Sequence, residues 1–406
     1  MDGNSLDGVK MLHHDEIRNY ARIQRKLLDV FSRYGCKLVE TPNFADYDMC
    51  STVFPDLRKE MVKTVDADGT VLVLRPDVTL PIVETAAREY PQARKLLKFA
   101  YVSTVFRNYS GRSTYGRDFL QGGAEILGID SAECDGEVIS MAADLLTSVG
   151  VEDMHIDLGN AAYGNALFDG SGLKKEEKRV LRRLLSERDI VAYHVFTDSL
   201  ALEQSYRDVL DALPMLFGPY SAISAKARAY CLNGAMHNAL TRLEEINRFL
   251  TFSGYRDTLQ LDLGFTGPLG YYTDMIFKIY ANGAFCELIS GGRYNTLSRL
   301  FGVDRPACGF GMNINILYEF MKDGGLLKDN EPASELAVIY DRCDERLVAD
   351  VFRWRRLGCR IGIYNREVFI DTRDYKSICQ YSDGVYSKDG KELSAADMEE
   401  LVQEVR

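Results

Sequence analysis

One stretch limits what this chain can fold into more than any other: Arg117-Asp118-Phe119-Leu120-Gln121-Gly122-Gly123-Ala124-Glu125-Ile126. Side chains of a β-strand alternate between its two faces, so an extended reading puts Arg117, Phe119, Gln121, Gly123 and Glu125 on one surface. A guanidinium, an amide and a carboxylate then share one sheet face. Gly123, with no side chain between Gln121 and Glu125, weakens the strand but leaves open floor where a ligand can approach the backbone. Glu125 is flanked by Ala124, Ile126 and Leu127. An unpaired charge there is costly, so it calls for a cation, either the ammonium of an amino acid or an arginine paired across the sheet. The strand alone does not choose between a ligand site and an internal ion pair. Lys98 to Phe106 reads as its neighbour, the two strands enclosing a polar loop.

The remaining elements give an α+β order. Asp15 to Tyr34 has helical apolar spacing and ends at Gly35, a C-cap residue. Lys37 to Thr41 is extended and stops at Pro42. Met61 to Val65 and Val71 to Leu74 flank Asp66-Ala67-Asp68-Gly69, a hairpin signal, so antiparallel pairing is expected from the start. Pro81 suits an early position in a short helix running to Glu89. Ser131 to Val149 reads as a helix and His155 to Leu158 as a strand. From about 172 to 252 the strand signal vanishes, predicting a helical insertion. Strands return at Thr258 to Leu263, Tyr271 to Tyr280 and Ala284 to Ser290, after which Gly291-Gly292-Arg293-Tyr294 reads as opening a helical turn. Leu336 to Tyr340, Leu347 to Arg356 and Arg360 to Tyr364 form one strand-helix-strand unit. The expected architecture is an antiparallel sheet flanked by helices over residues 1–325, with the insertion at 172–252, and a small C-terminal α/β domain over 331–406.

Composition narrows the function. The 406 residues carry a formal net charge of −11, which offers no basic footprint for a nucleic acid. Nine cysteines are scattered singly, without a C-x-x-C pair or histidines at ligand spacing, so neither a metal site nor a disulfide framework is expected, and the thiols read as those of a reduced cytoplasmic protein. Met1 to Lys10 lacks an apolar h-region and no apolar run reaches membrane-spanning length, so no membrane partner is expected. No cofactor is called for.

Three further segments bear chemistry. Arg75-Pro76-Asp77-Val78-Thr79 places a carboxylate and a hydroxyl at a strand-to-helix junction, where a helix cap is the plainer reading. Arg107 leaves its strand as the polar loop begins, well placed for a carboxylate or phosphate. Gly291-Gly292-Arg293 offers another arginine. Arg353, Arg355, Arg356 and Arg360 surround Trp354, a pattern that fits a solvated helix face better than an RNA contact.

Taken in order, these segments resemble class II aminoacyl-tRNA synthetases of the histidyl type from about residue 10 to 320. Lys37 to Pro42 is similar to the first class II motif, Phe106 to Gly128 to the second and Gly291 to Gly311 to the third, with the histidyl-type segment Pro268-Leu269-Gly270-Tyr271-Tyr272 before the last. The resemblance implies that Asp77, Thr79, Arg107, Gln121, Glu125, Tyr271 and Tyr272 bind histidine, and that Arg117 and Arg293 can meet an anion. It also shows losses. Asn108-Tyr109 replaces the x-Glu of the second motif, Thr114-Tyr115-Gly116-Arg117 replaces Gly-Arg-Tyr-Arg, and Gly267 stands where the histidyl type has the arginine that steadies the α-phosphate. Losing one such oriented donor costs about two to three decades in rate, so no catalytic residue is assigned. Residues 331–406 hold 16 Asp and Glu against 12 Lys and Arg, a net of −4, which does not favour tRNA.

Arg-Pro-Asp-x-Thr, in place of Arg-Pro-Glu-x-Thr, matches the non-catalytic branch that regulates ATP phosphoribosyltransferase. That branch implies dimers through the Pro42 surface, assembly with a short-form catalytic subunit into a hetero-octamer, and histidine as effector of the first step of histidine biosynthesis. An active but divergent synthetase and a synthetase-like binding module for another partner are the alternatives.

Overall fold

A computed structural model describes residues 11–108, 117–264, 271–327, 334–372 and 375–405. In chain order the elements are α1 (His14–Arg33), β1 (Lys37–Leu38), β2 (Phe44–Asp46), α2 (Tyr47–Val53), β3 (Lys63–Val65), β4 (Val71–Leu74), α3 (Thr79–Glu89), β5 (Leu97–Phe106), β6 (Asp118–Leu127), α4 (Ala132–Ser148), β7 (Met154–Asn160), α5 (Ala161–Gly170), α6 (Lys175–Ser186), α7 (Ile190–Asp198), α8 (Gln204–Ala212), β8 (Phe217–Pro219), α9 (Tyr220–Ala229), α10 (Gly234–Phe252), β9 (Leu259–Asp262), β10 (Met275–Ala281), β11 (Ile289–Arg293), β12 (Ala307–Asn313) and α11 (Ile314–Asp323). A second compact unit follows, with β13 (Ser334–Tyr340), α12 (Glu345–Arg356), β14 (Ile361–Asn365), β15 (Tyr375–Ser382), β16 (Val385–Lys388), β17 (Lys391–Leu393) and α13 (Ala395–Val405). Among the described residues no helix is long and apolar enough to cross a membrane.

The large unit is built on a nine-stranded sheet in the order β1-β5-β6-β12-β11-β10-β7-β9-β8. Its centre is antiparallel, as the β5–β6 reading requires, with Ala100 opposite Ala124 and Val105 opposite Phe119. Two edges depart from expectation. β1 runs parallel to β5, with Lys37 opposite Phe99 and Leu38 opposite Ala100. Within the insertion, Phe217–Pro219 forms a short strand that pairs antiparallel with β9 and extends the sheet. A three-residue edge strand is too short to register as periodicity.

Residues 291–293 also depart from the sequence reading. They are not the start of a helix but the body of β11, between β10 and β12. Glycine's poor strand propensity suggested a turn, yet a Cβ at Gly292 would lie 2.6 Å from the Met275 carbonyl, so the close strand contact admits nothing larger. The helical turn comes later, at Leu297–Phe301.

Apolar cores cover both faces of the sheet. One unites α1, α4, α10 and the insertion around buried Leu27, Val138, Ile156 and Leu243. The other packs α3 and the small β2-β4-β3 sheet over Val73, Val83, Tyr101 and Phe119. The second unit exceeds the single strand-helix-strand foreseen. Its sheet runs β14-β13-β15-β16-β17 over a core at Trp354, and tight turns at Asp383-Gly384 and Asp389-Gly390, all four residues with positive φ, close two hairpins.

Candidate functional site

The face of β6 singled out from the sequence is one side of a cavity. β12 pairs with β6 so that Gly309 lies opposite Glu125, Gly311 opposite Gly123 and Asn313 opposite Gln121. The two glycines make the space: a Cβ at Gly309 would overlap Glu125 Oε2, and one at Gly311 would overlap Gln121 Nε2. Carboxylate and amide therefore lean across β12 rather than standing off the sheet. Gly123 does not provide the open floor expected of it. Tyr101, opposite it on β5, lays its hydroxyl over that position.

The cavity encloses about 350 Å³ and is lined by Asp77, Thr79, Arg107, Gln121, Glu125, Tyr271 and Tyr272. Segments far apart in the chain thus meet at one place. Asp77 and Thr79 arrive at the start of α3, where Asp77 Oδ1 also accepts the Leu80 N–H at 3.1 Å, so Asp77 serves the helix start while it lines the cavity. Tyr271 and Tyr272 pack ring against ring at 4.8 Å, and Tyr271 meets Tyr294 edge-on at 5.5 Å, forming an aromatic wall. Arg107 donates from Nε to the Pro76 carbonyl at 3.0 Å and lies over the Phe119 ring.

Glu125 is 1% exposed. The arginine pairing that its strand allowed does not form: among the described residues its hydrogen-bond partners are Thr79, whose hydroxyl donates at 2.7 Å, and the Tyr294 hydroxyl. Burial pushes the carboxyl up to about 8, the two hydroxyls oppose that rise and the nearby Asp77 adds to it. Asp77 is raised by burial too, with the Arg107 charge working against the shift. Gln121 Oε1 is buried and has no hydrogen-bond partner among the described residues, an acceptor aimed at something else. Two carboxyls, an orphan acceptor and tyrosine walls suit a small ligand rich in N–H donors.

The other two arginines lie elsewhere. Arg293 alternates along β11 to the face away from the cavity, is fully buried, and donates from Nε to Asp135 Oδ1 of α4 at 2.8 Å and from Nη1 to the Ile129 carbonyl at 2.9 Å. With its guanidinium committed to α4, Arg293 is no anion site. Arg117 is exposed and borders a separate groove of about 360 Å³ with Met61, Lys63 and Asn108. Tyr109, Tyr115 and Gly267, on which the loss of activating groups rests, lie outside the described residues. Tyr294, Tyr101 and Asn313 line the cavity or its floor without having been foreseen. Had β11 been read through Arg293, alternation from Ser290 and Gly292 would have found Tyr294.

Comparison with known proteins agrees with the fold. Residues 8–317 match the histidyl-tRNA synthetase family model. An ATP phosphoribosyltransferase regulatory subunit of Acetivibrio thermocellus is 31% identical over 77% of this chain and 74% of that protein. The chain belongs to the synthetase-like family of ATP phosphoribosyltransferase regulatory subunits. Within this family, a regulatory subunit of Ruminiclostridium cellulolyticum is 27% identical over 98% of this chain and 95% of its own length. The crystal structure of an ATP phosphoribosyltransferase regulatory subunit/histidyl-tRNA synthetase from Bacillus halodurans superposes with a TM-score of 0.82 at 25% identity, covering 94% of this chain and 99% of that one. A histidyl-tRNA synthetase from Nostoc sp. PCC 7120 shares the fold at 15% identity, with a TM-score of 0.76 over 100% of this chain and 99% of the other. Regulatory subunits and synthetases of this family thus share one architecture.

Proposed function

We propose that this chain is a non-catalytic subunit that binds free histidine in the β6–β12 cavity and reports its occupancy to a short-form ATP phosphoribosyltransferase catalytic subunit. The observation that carries the reading is Glu125, buried with no cationic partner among the described residues, next to Gln121 Oε1, which has no hydrogen-bond partner among them, and close to Asp77. Histidine brings an ammonium and an imidazole whose two nitrogens can both donate, so one small molecule supplies the missing donors at once. The tyrosine wall suits the flat ring. Family membership supports the partner, and the partner's dependence on histidine follows if the ligand favours one state of the complex over another; its effect is limited to that differential affinity. Dimers through the Pro42 surface, joined to catalytic subunits in a hetero-octamer, are the assembly this role requires.

The test is reconstitution. Phosphoribosyl-ATP formation by a short-form catalytic subunit is expected to require this chain and to fall when histidine is added. Glu125→Ala removes a charged partner worth about 2 kcal/mol, so histidine affinity should drop roughly thirty-fold and inhibition with it. Unchanged inhibition by that variant would sink the reading. Histidine-dependent ATP–pyrophosphate exchange would return the chain to the synthetases.

A further inference from the structure

Behind the cavity, on the other face of the sheet, two cysteines are held sulfur to sulfur. Cys134 lies in the first turn of α4, its N–H donated to the Ser131 hydroxyl at 3.2 Å. Cys308 lies on β12, across from Arg293 of β11. Their Sγ atoms are 3.6 Å apart, and Arg293 Nη2 donates to Cys308 Sγ at 3.4 Å. Both thiols are buried among apolar side chains, at 5% and 0% exposure. Such a contact could be ordinary packing of two small side chains, but three features exceed packing. The first turn of a helix presents unpaired N–H groups that favour a thiolate. Arg293, although ion-paired with Asp135, turns one N–H of its guanidinium onto the Cys308 sulfur and so fixes a donor beside the pair. Finally, Cys134 borders a solvent-connected cavity of about 590 Å³, shared with Ser140, Tyr34 and Tyr255, which gives a small reagent a way in.

We propose that Cys134 and Cys308 form a two-cysteine oxidation site, at which a small hydroperoxide oxidises Cys134 and Cys308 resolves the product into a disulfide joining α4 to β12. In the first step the Cys134 thiolate attacks one peroxide oxygen. An S–O bond forms, the O–O bond breaks and the leaving oxygen takes a proton, so that sulfur is oxidised to a sulfenic acid and hydrogen peroxide is reduced to water. In the second step Cys308, its proton lost to solvent, attacks the Cys134 sulfur; the S–S bond forms and hydroxide leaves, taking up a proton as a second water. Overall, two thiols and one hydrogen peroxide give one disulfide and two waters. The roles follow the geometry: Cys134 has the access and the helix N-terminus, whereas Cys308 sits deeper. Charge agrees. The sulfur contact with Cys308 and the Arg293 charge lower Cys134 against burial and the adjacent Asp135 carboxylate, and the same contact, together with burial, raises Cys308. Bonding would draw the sulfurs to about 2 Å, moving α4 against a strand whose next residue, Gly309, seats Glu125.

The full chain is titrated with hydrogen peroxide, free thiols are capped with N-ethylmaleimide, and the digest is read by mass spectrometry. The expected result is loss of both Cys134 and Cys308 from the capped pool and a peptide joining them as the main oxidised species, reversed by dithiothreitol. In Cys308→Ser a sulfenic acid trapped by dimedone should accumulate at Cys134. If Cys134 and Cys308 stay capped while exposed Cys343 oxidises, or if Cys134 reaches sulfinic acid without any joined peptide, the proposal is wrong. The wild-type digest decides the matter even if a serine variant fails to fold.

Discussion

Glu125 shows how a single side chain sets the behaviour of the site. Burial holds its carboxyl near 8, against 4.5 for the ordinary group. The folded chain therefore keeps a proton there that the unfolded chain releases above about pH 4.5. The corresponding stability is fully present below that value and is lost as pH rises through about 8, by up to about 1.4 kcal/mol per pH unit. Glu125→Gln keeps the shape without the titration. Urea unfolding between about pH 6 and 9 should show a flatter pH dependence for this variant than for wild type; identical slopes would mean the carboxyl is already ionised. Histidine binding should also expel the proton, because a ligand cation favours the carboxylate. Calorimetry in buffers of different ionisation enthalpy should then give different heats for wild type and equal heats for Glu125→Gln. At this scale alternation placed Phe119, Gln121 and Glu125 on the cavity face but not Arg117, which precedes β6 and borders a separate groove. It failed at Arg293, because face assignment depends on which element a residue occupies, and a Gly-Gly pair disguises a strand.

Among the elements, β12 contributes mainly by what it lacks. Gly309 and Gly311 were legible as members of a motif, but not as the floor beneath two side chains, since that depends on register with a strand distant in sequence. The two positions should respond differently to alanine. A methyl at Gly309 meets Glu125 and also the Ala124 carbonyl, which is backbone and cannot rotate away. Gly309→Ala is expected to cost about 1–3 kcal/mol in thermal or urea unfolding. At Gly311 the three atoms nearest the methyl all belong to the Gln121 side chain, with its amide nitrogen nearest, which can swing aside. Gly311→Ala should melt close to wild type yet bind histidine at least about ten-fold more weakly, the loss of one good hydrogen bond; a variant that binds normally would remove Gln121 from the proposed site. Short elements were the ones missed. β8 is three residues long, and the hairpins at Asp383-Gly384 and Asp389-Gly390 carry turn signals whose flanking strands are too brief to stand out.

For the whole molecule, the α+β order and the break into two units could be read from hydrophobic pattern and polar linkers, whereas strand order in a nine-stranded sheet could not, because pairing partners leave no local mark. Every described residue lining the cavity belongs to the large unit, which has its own cores, and the second unit has another at Trp354. A chain ending at Leu327 is therefore expected to bind histidine within about two-fold of the full chain by calorimetry, as for sites without shared partners. A larger loss would tie the second unit to the site. The β6–β12 pairing, which brings Glu125 opposite Gly309, has a consequence in time as well as in space. Contacts so distant along the chain close late in folding, so the cavity exists only after both strands have been synthesised and have paired with each other. A ligand that recognises that cavity has little to hold in the folding transition state, and saturating histidine should slow unfolding while leaving the refolding rate nearly unchanged.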